Sequence, residues 1–90
     1  MAELQVDVVS ADQTIWSGAA RSVVVPAVGG ELGVLVGHEP LMAVLGTGTV
    51  RVAPVAANSQ RITNDISGGF VSVDDDVVTI VIDTVLDSEA

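Results

Sequence analysis

Ninety residues limit this chain to one domain, residues 1–90, with one continuous core, because a chain of this size buries only roughly 60–65% of its unfolded surface. Its formal net charge of −9, with three arginines and no lysine, excludes a nucleic-acid partner and docking on anionic lipid, since both rely on Lys and Arg meeting phosphate. Absence of cysteine excludes disulfides and thiolate metal sites, and a 49% hydrophobic content that is rich in valine and only 2% aromatic predicts an all-β fold, because the stiff χ1 of valine suits a pleated surface.

Glu3–Val9 alternates, with Leu4, Val6 and Val8 on one side and Glu3, Gln5 and Asp7 on the other, the period of a half-buried strand. Ser10–Gln13 carries turn chemistry, and Thr14–Ser17 is a short strand bearing Trp16. Arg21–Val25 is the next strand, ended or placed on an edge by Pro26. Gly29 and Gly30 open into a strand at Glu31–Leu35, and Gly37 breaks the chain before His38-Glu39-Pro40. Leu41–Leu45 leads through a turn at Gly46–Gly48 to Thr49–Ala53, with Val50 and Val52 inward. After a loop at Ala56–Ser59, Gln60–Ile66 sets Ile62 and Ile66 against Arg61, Thr63 and Asp65. Ser67-Gly68-Gly69 marks a bulge or tight bend, Phe70–Val73 is a strand, and Asp74–Asp76 is the turn into Val77–Asp83. That last strand is apolar on both sides, with Val78, Ile80 and Ile82 facing one way and Val77 and Val81 the other, so the second side is either covered or a docking surface. Short strands punctuated by glycine at this spacing predict a sandwich or flattened barrel.

Few residues offer chemistry. His38 is the single histidine, and a lone imidazole with no second His, no Cys and no triad spacing neither holds a metal nor makes a hydrolase; the plain reading is a loop histidine beside Pro40. Asp74–Asp76 cannot supply the six to eight oxygens calcium takes, because adjacent side chains of an extended segment face opposite ways. The Gly-Thr-Gly at 46–48 is no phosphate cradle, since no helix and no lysine follow. No cofactor and no metal site is predicted. Trp16, Leu41 and Met42 are candidate partner anchors, with core packing the better account of Trp16.

Three stretches, LQVDVVSADQTIWSG at Leu4–Gly18, GGELGVLVGHEPLMAVLGTGTVRV at Gly29–Val52 and SGGFVSVDDDVVTIVIDT at Ser67–Thr84, together resemble in order and spacing the epsilon subunit of F-type ATP synthases. The resemblance implies a flattened β-sandwich of about ten short strands. It also implies a non-catalytic central-stalk part that couples the gamma subunit to the c-ring for proton-driven ATP synthesis, attached peripherally at the cytoplasmic face of the cell membrane. In that family one sandwich face packs on gamma, for which Val77 and Val81 are the candidates here. The family's Gly-Glu-Leu-Gly loop meets the ring; it stands at Gly30–Gly33, making Glu31 a ring contact, with Gly37 and His38 expected beside it at the same end. The family's helical hairpin, which inhibits ATP hydrolysis in many members and binds ATP in some, would begin near Leu86–Ala90, where this chain stops, so neither property is expected of it. Two other readings compete: a free-standing β-sandwich binding module with a concave polar site, and a small enzyme built on His38.

Overall fold

Eight strands arise where the sequence alternates or runs apolar: β1 (Leu4–Ser10), β2 (Thr14–Ala27), β3 (Gly30–Leu35), β4 (Leu41–Leu45), β5 (Gly48–Pro54), β6 (Ile62–Ile66), β7 (Gly69–Asp74) and β8 (Val77–Ile82). The computed structural model describes residues 3–10, 13–55 and 61–83, so the expected 56–59 loop and the segment from 84 onward lie outside the described residues. The pairing order is β1-β8-β7-β4-β2-β5-β6, with β3 added to β2 and a further β1–β2 pairing. All neighbours are antiparallel except β1 and β8, which run parallel from Gln5↔Val77 to Ser10↔Ile82.

Where about ten strands were expected there are eight among the described residues, and β2 accounts for part of the difference. Thr14–Ser17 and Arg21–Val25 are not separate: Gly18, Ala19 and Ala20 stay extended and pair with β1, giving a single strand of 14 residues. Glycine suits position 18 because a Cβ there would lie 3.0 Å from the Trp16 ring, which covers it. The register with β5 slips between Ala20 and Ser22, making Arg21 the extra residue of a bulge. Through that bend β2 serves both layers of the sandwich. Its first half lies beside β1, continuing to β8, β7 and β4, and its second half lies between β3 and β5, continuing to β6.

The core fills the space between the layers with aliphatic side chains. Leu4, Val6, Val8, Val71, Val73, Val78, Ile80 and Ile82 meet Val23, Val25, Val34, Val50, Val52 and Ile66, all essentially without solvent contact. Each such side chain contributes about 1.5–3 kcal/mol of transfer free energy, so the missing aromatics are replaced by number. Trp16 and Leu41 pack partly buried against this cluster, as core packing predicts for Trp16, whereas Met42 points away and is exposed.

One polar atom does not fit. Asn64 shares the inward side of β6 with Ile62 and Ile66, and its Oδ1 is buried without a hydrogen-bond partner. An unsatisfied buried carbonyl costs about 1–3 kcal/mol. Asn64→Val should therefore raise stability by about 1 kcal/mol, read as a higher urea midpoint at unchanged slope; a lower midpoint would mean that the amide is satisfied in solution.

Candidate functional site

The β3–β4 connection collects the residues with the most chemistry. Gly37 turns the chain with φ 86°, and its N–H donates to Asp76 Oδ1 at 2.8 Å. Asp75 and Asp76, with φ 53° and 63°, form the tight two-residue turn between β7 and β8, a conformation that Asp tolerates better than most side chains. His38, half-buried, donates its backbone N–H to the Leu35 carbonyl at 3.1 Å and its Nδ1 lies 2.8 Å from the Glu39 carbonyl. Gly37, His38, Pro40 and Asp74–Asp76 thus border one open hollow. Among the described residues no three of His, Cys, Asp or Glu come together as a metal site, and none of the described helices or strands is a helix long and apolar enough to cross a membrane.

Glu31 is exposed, with Oε2 accepting from Arg51 Nη2 at 2.8 Å. The bond reaches across β2: Arg51 pairs with Val24, Val24 with Gly33, and Glu31 stands one outward position further along β3, opposite Pro26. The expectation that Glu31 and His38 lie together at one end is corrected. Glu31 begins β3 and His38 follows its end, and the four steps from Glu31 to Leu35 alone span about 13 Å at ~3.3 Å per residue. Gly30–Leu35 forms one continuous strand paired along its length with β2, which holds the turns at its two ends apart.

β3 is an edge strand among the described residues, with β2 its one ladder partner. Val28, Leu35 and Val36, on β3 and its flanking turns, are exposed. A Cβ added at Gly33 would meet nothing within 4 Å.

The other notable surface is the outside of the β4-β7-β8-β1 layer. Val77 and Val81 do point outward, Val77 being exposed and Val81 half-buried. Register aligns Val81 with Phe70 on β7 and Val9 on β1, and Phe70 with Val44 on β4, so four apolar residues form one row across four strands. Beside it Met42, Val44 and Phe70 line an open hollow of about 400 Å³, with Asp83 at the rim. Sequence reasoning missed Val44 and Phe70. The signal for Val44 was available, since Leu41–Leu45 is apolar on both faces just as Val77–Asp83 is; Phe70 had no such signal, because one aromatic is equally apt for core.

Comparison with known proteins gives a consistent family. A model of the ATP synthase Delta/Epsilon chain β-sandwich domain matches residues 3–88. The ATP synthase epsilon chain of Micrococcus luteus is 49% identical over 80 residues, covering 89% of this chain and 86% of that protein. That of Bordetella petrii is 41% identical over 86 residues, covering 96% of this chain and 60% of that one. Among solved structures, a chain of the Euglena gracilis mitochondrial ATP synthase OSCP/F1/c-ring assembly superposes with TM-score 0.83 at 27% identity, over 96% of this chain and 54% of that one. A chain of the Tetrahymena thermophila mitochondrial ATP synthase central stalk and c-ring gives TM-score 0.76 at 16% identity, a likeness of fold. The chain therefore spans most of the Micrococcus protein and little more than half of the Bordetella and Euglena chains.

Proposed function

Because this chain belongs to the ATP synthase Delta/Epsilon chain β-sandwich family, we propose that it is a non-catalytic part of the synthase's central stalk, joining the gamma subunit to the c-ring at the cytoplasmic face of the membrane. The observation that carries the reading is the outward row Val9, Val81, Phe70 and Val44, on a layer whose inner side is already committed to the core. An apolar row of this kind is the central feature of a protein interface, and gamma is the partner assigned to it. Val77 lies at the far border of the same face.

The ring contact is assigned to the β3 edge. Glu31 at its start and Gly37-His38 beyond its end belong to one contact when that contact runs along the strand, so a long edge rather than a single loop tip faces the ring. Exposed Leu35 and the vacant space over Gly33 suit such an approach.

Purified chain should co-sediment with gamma alone, and with gamma and c-ring together, but should show no nucleotide turnover. A chain that ignores gamma while binding a small ligand would favour a free-standing module instead. Glu31→Lys loses an exposed ion pair, worth about 0–1 kcal/mol, and so should fold nearly normally. It should lower proton-coupled ATP synthesis in a reconstituted complex, most at low ionic strength where charges are least screened. Equal coupling at every salt concentration would remove Glu31 from the contact. Gly33→Leu supplies the steric counterpart: with open space around its Cβ on an edge strand it should leave stability within about 0.5 kcal/mol and still weaken ring attachment.

A further inference from the structure

Beside the β3 edge assigned to the ring, and joined to it by the Arg51–Glu31 ion pair, lies the outside of the layer formed by the second half of β2 with β5 and β6. Ser22 and Val24 face outward there because Val23 and Val25 fill the core, and Arg51 and Ala53 do so because Val50 and Val52 are buried. These residues and Arg61, which precedes β6, line a shallow groove of about 60 Å³. Arg21, the exposed residue of the β2 bulge, directly precedes Ser22. In a chain of net charge −9 that holds three arginines and no lysine, two of the three arginines therefore line one groove.

We propose that this face is a further docking surface, for an acidic segment of a partner protein, gripped by Arg51 and Arg61. The charge balance sets the partner's chemistry. Carboxylates are what planar guanidinium groups bind in paired fashion, and the remaining surface, being acidic, gives no purchase for a second anion. Arg51 Nη2 donates to Glu31 Oε2 at 2.8 Å, which occupies one of the five N–H donors of a guanidinium and leaves the others for a ligand in the groove that Arg51 lines. Arg61 is exposed and makes no hydrogen bond among the described residues. The other carboxylate on this outer face, Asp65, accepts from Thr49 Oγ1 at 2.7 Å on the side away from Arg61.

Size and texture separate a protein segment from other anions. A small-molecule pocket holds about 300–1,000 Å³, several times this groove, so a nucleotide has nowhere to sink. Half-buried Val24 and Ala53 line the groove together with the arginines, and arginine beside aliphatic side chains is the composition of protein interfaces. Nucleic acid is opposed by the net charge, which repels a polyanion over the ~10 Å screening length at 0.1 M salt, whereas a short acidic segment meets chiefly the local arginines. The surface is separate from the gamma row, which lies on the other layer, so the proposal stands or falls independently of that assignment.

The test is an amide-shift titration of isotope-labelled chain with a short peptide of alternating Asp and Leu. Saturable shifts are expected at Ser22, Val24, Ala53 and Arg61, and the Arg51→Gln, Arg61→Gln double variant should bind at least about tenfold more weakly at an unchanged denaturation midpoint. Arg61→Lys should not restore the affinity, because an ammonium lacks the paired donors. The proposal is overturned if shifts fall elsewhere, if the double variant binds equally well, or if a matched Lys and Leu peptide gives the same shifts. ATP or a single-stranded oligonucleotide binding this face more tightly than the peptide would likewise replace it with a phosphate site.

Discussion

Gly69→Ala is expected to cost the domain about 4 kcal/mol, the largest effect among the described glycines. Gly69 opens β7 with φ 147°, a region L side chains rarely adopt, and a Cβ there would sit 2.0 Å from the Val81 carbonyl oxygen. The oxygen cannot withdraw cheaply, because Gly69 pairs with Leu45 on one side and Ile82 on the other and the clash is with backbone. For a domain of this size the loss lowers the melting temperature by about 15–30 °C. Gly48→Ala makes a graded comparison: its Cβ would meet the Pro26 ring at 2.5 Å, a side-chain contact with more freedom to adjust, so a smaller loss is expected. Thermal melts of both variants and of Gly33→Leu should rank Gly69 worst. A Gly69→Ala midpoint within a few degrees of the unmodified protein would mean that β7 does not enter the sheet as described.

Val44→Asp should weaken gamma binding at least about 100-fold while leaving the free domain folded. Val44 is 65% exposed, so a carboxylate there stays hydrated until a partner covers it, and only then carries the penalty of an unpaired buried charge. Val81→Asp tests the same row less cleanly, since Val81 is half-buried and the variant loses stability of its own. Isothermal titration against gamma, beside urea melts of the free chain, separates the two effects. Undiminished affinity of Val44→Asp would take the row out of the gamma interface, whatever the stability.

The layers of this fold were readable wherever burial follows alternation. Leu4, Val6 and Val8 are inward in β1 as period-2 reasoning requires, and Val78, Ile80 and Ile82 face the core while Val77 and Val81 do not. The continuity of β2 was not readable, because Gly18, Ala19 and Ala20 have weak strand preference and are held extended by β1 alongside them. Alternation puts Asn64 on the inward side with Ile62 and Ile66, but the pattern alone does not show that its Oδ1 is left there without a partner. The candidate contacts were legible as residues and not as geometry. Glu31 and His38 are seven places apart, and whether a short apolar run between glycines doubles back or stays straight depends on its partner strand, which is set by β2 far from either residue. The arginine face was hidden for the same reason: Arg51 and Arg61 are separated along the chain, and only the β5–β6 pairing brings them to one groove.

The parallel β1–β8 ladder has a consequence for the order of folding. Val6 and Val78 are neighbours in the sheet although nearly the whole domain separates them in sequence, whereas β7–β8 is a local hairpin. Loop entropy makes such distant partners slow to meet, so hairpins form early and the β1–β8 seam closes late. During synthesis β1 has β2 as a companion on one edge from the start, while its other edge stays open until the last strand emerges. That open edge is a strand-pairing template for a second nascent chain, and docking onto it before β8 arrives is the characteristic route by which this domain would misassemble.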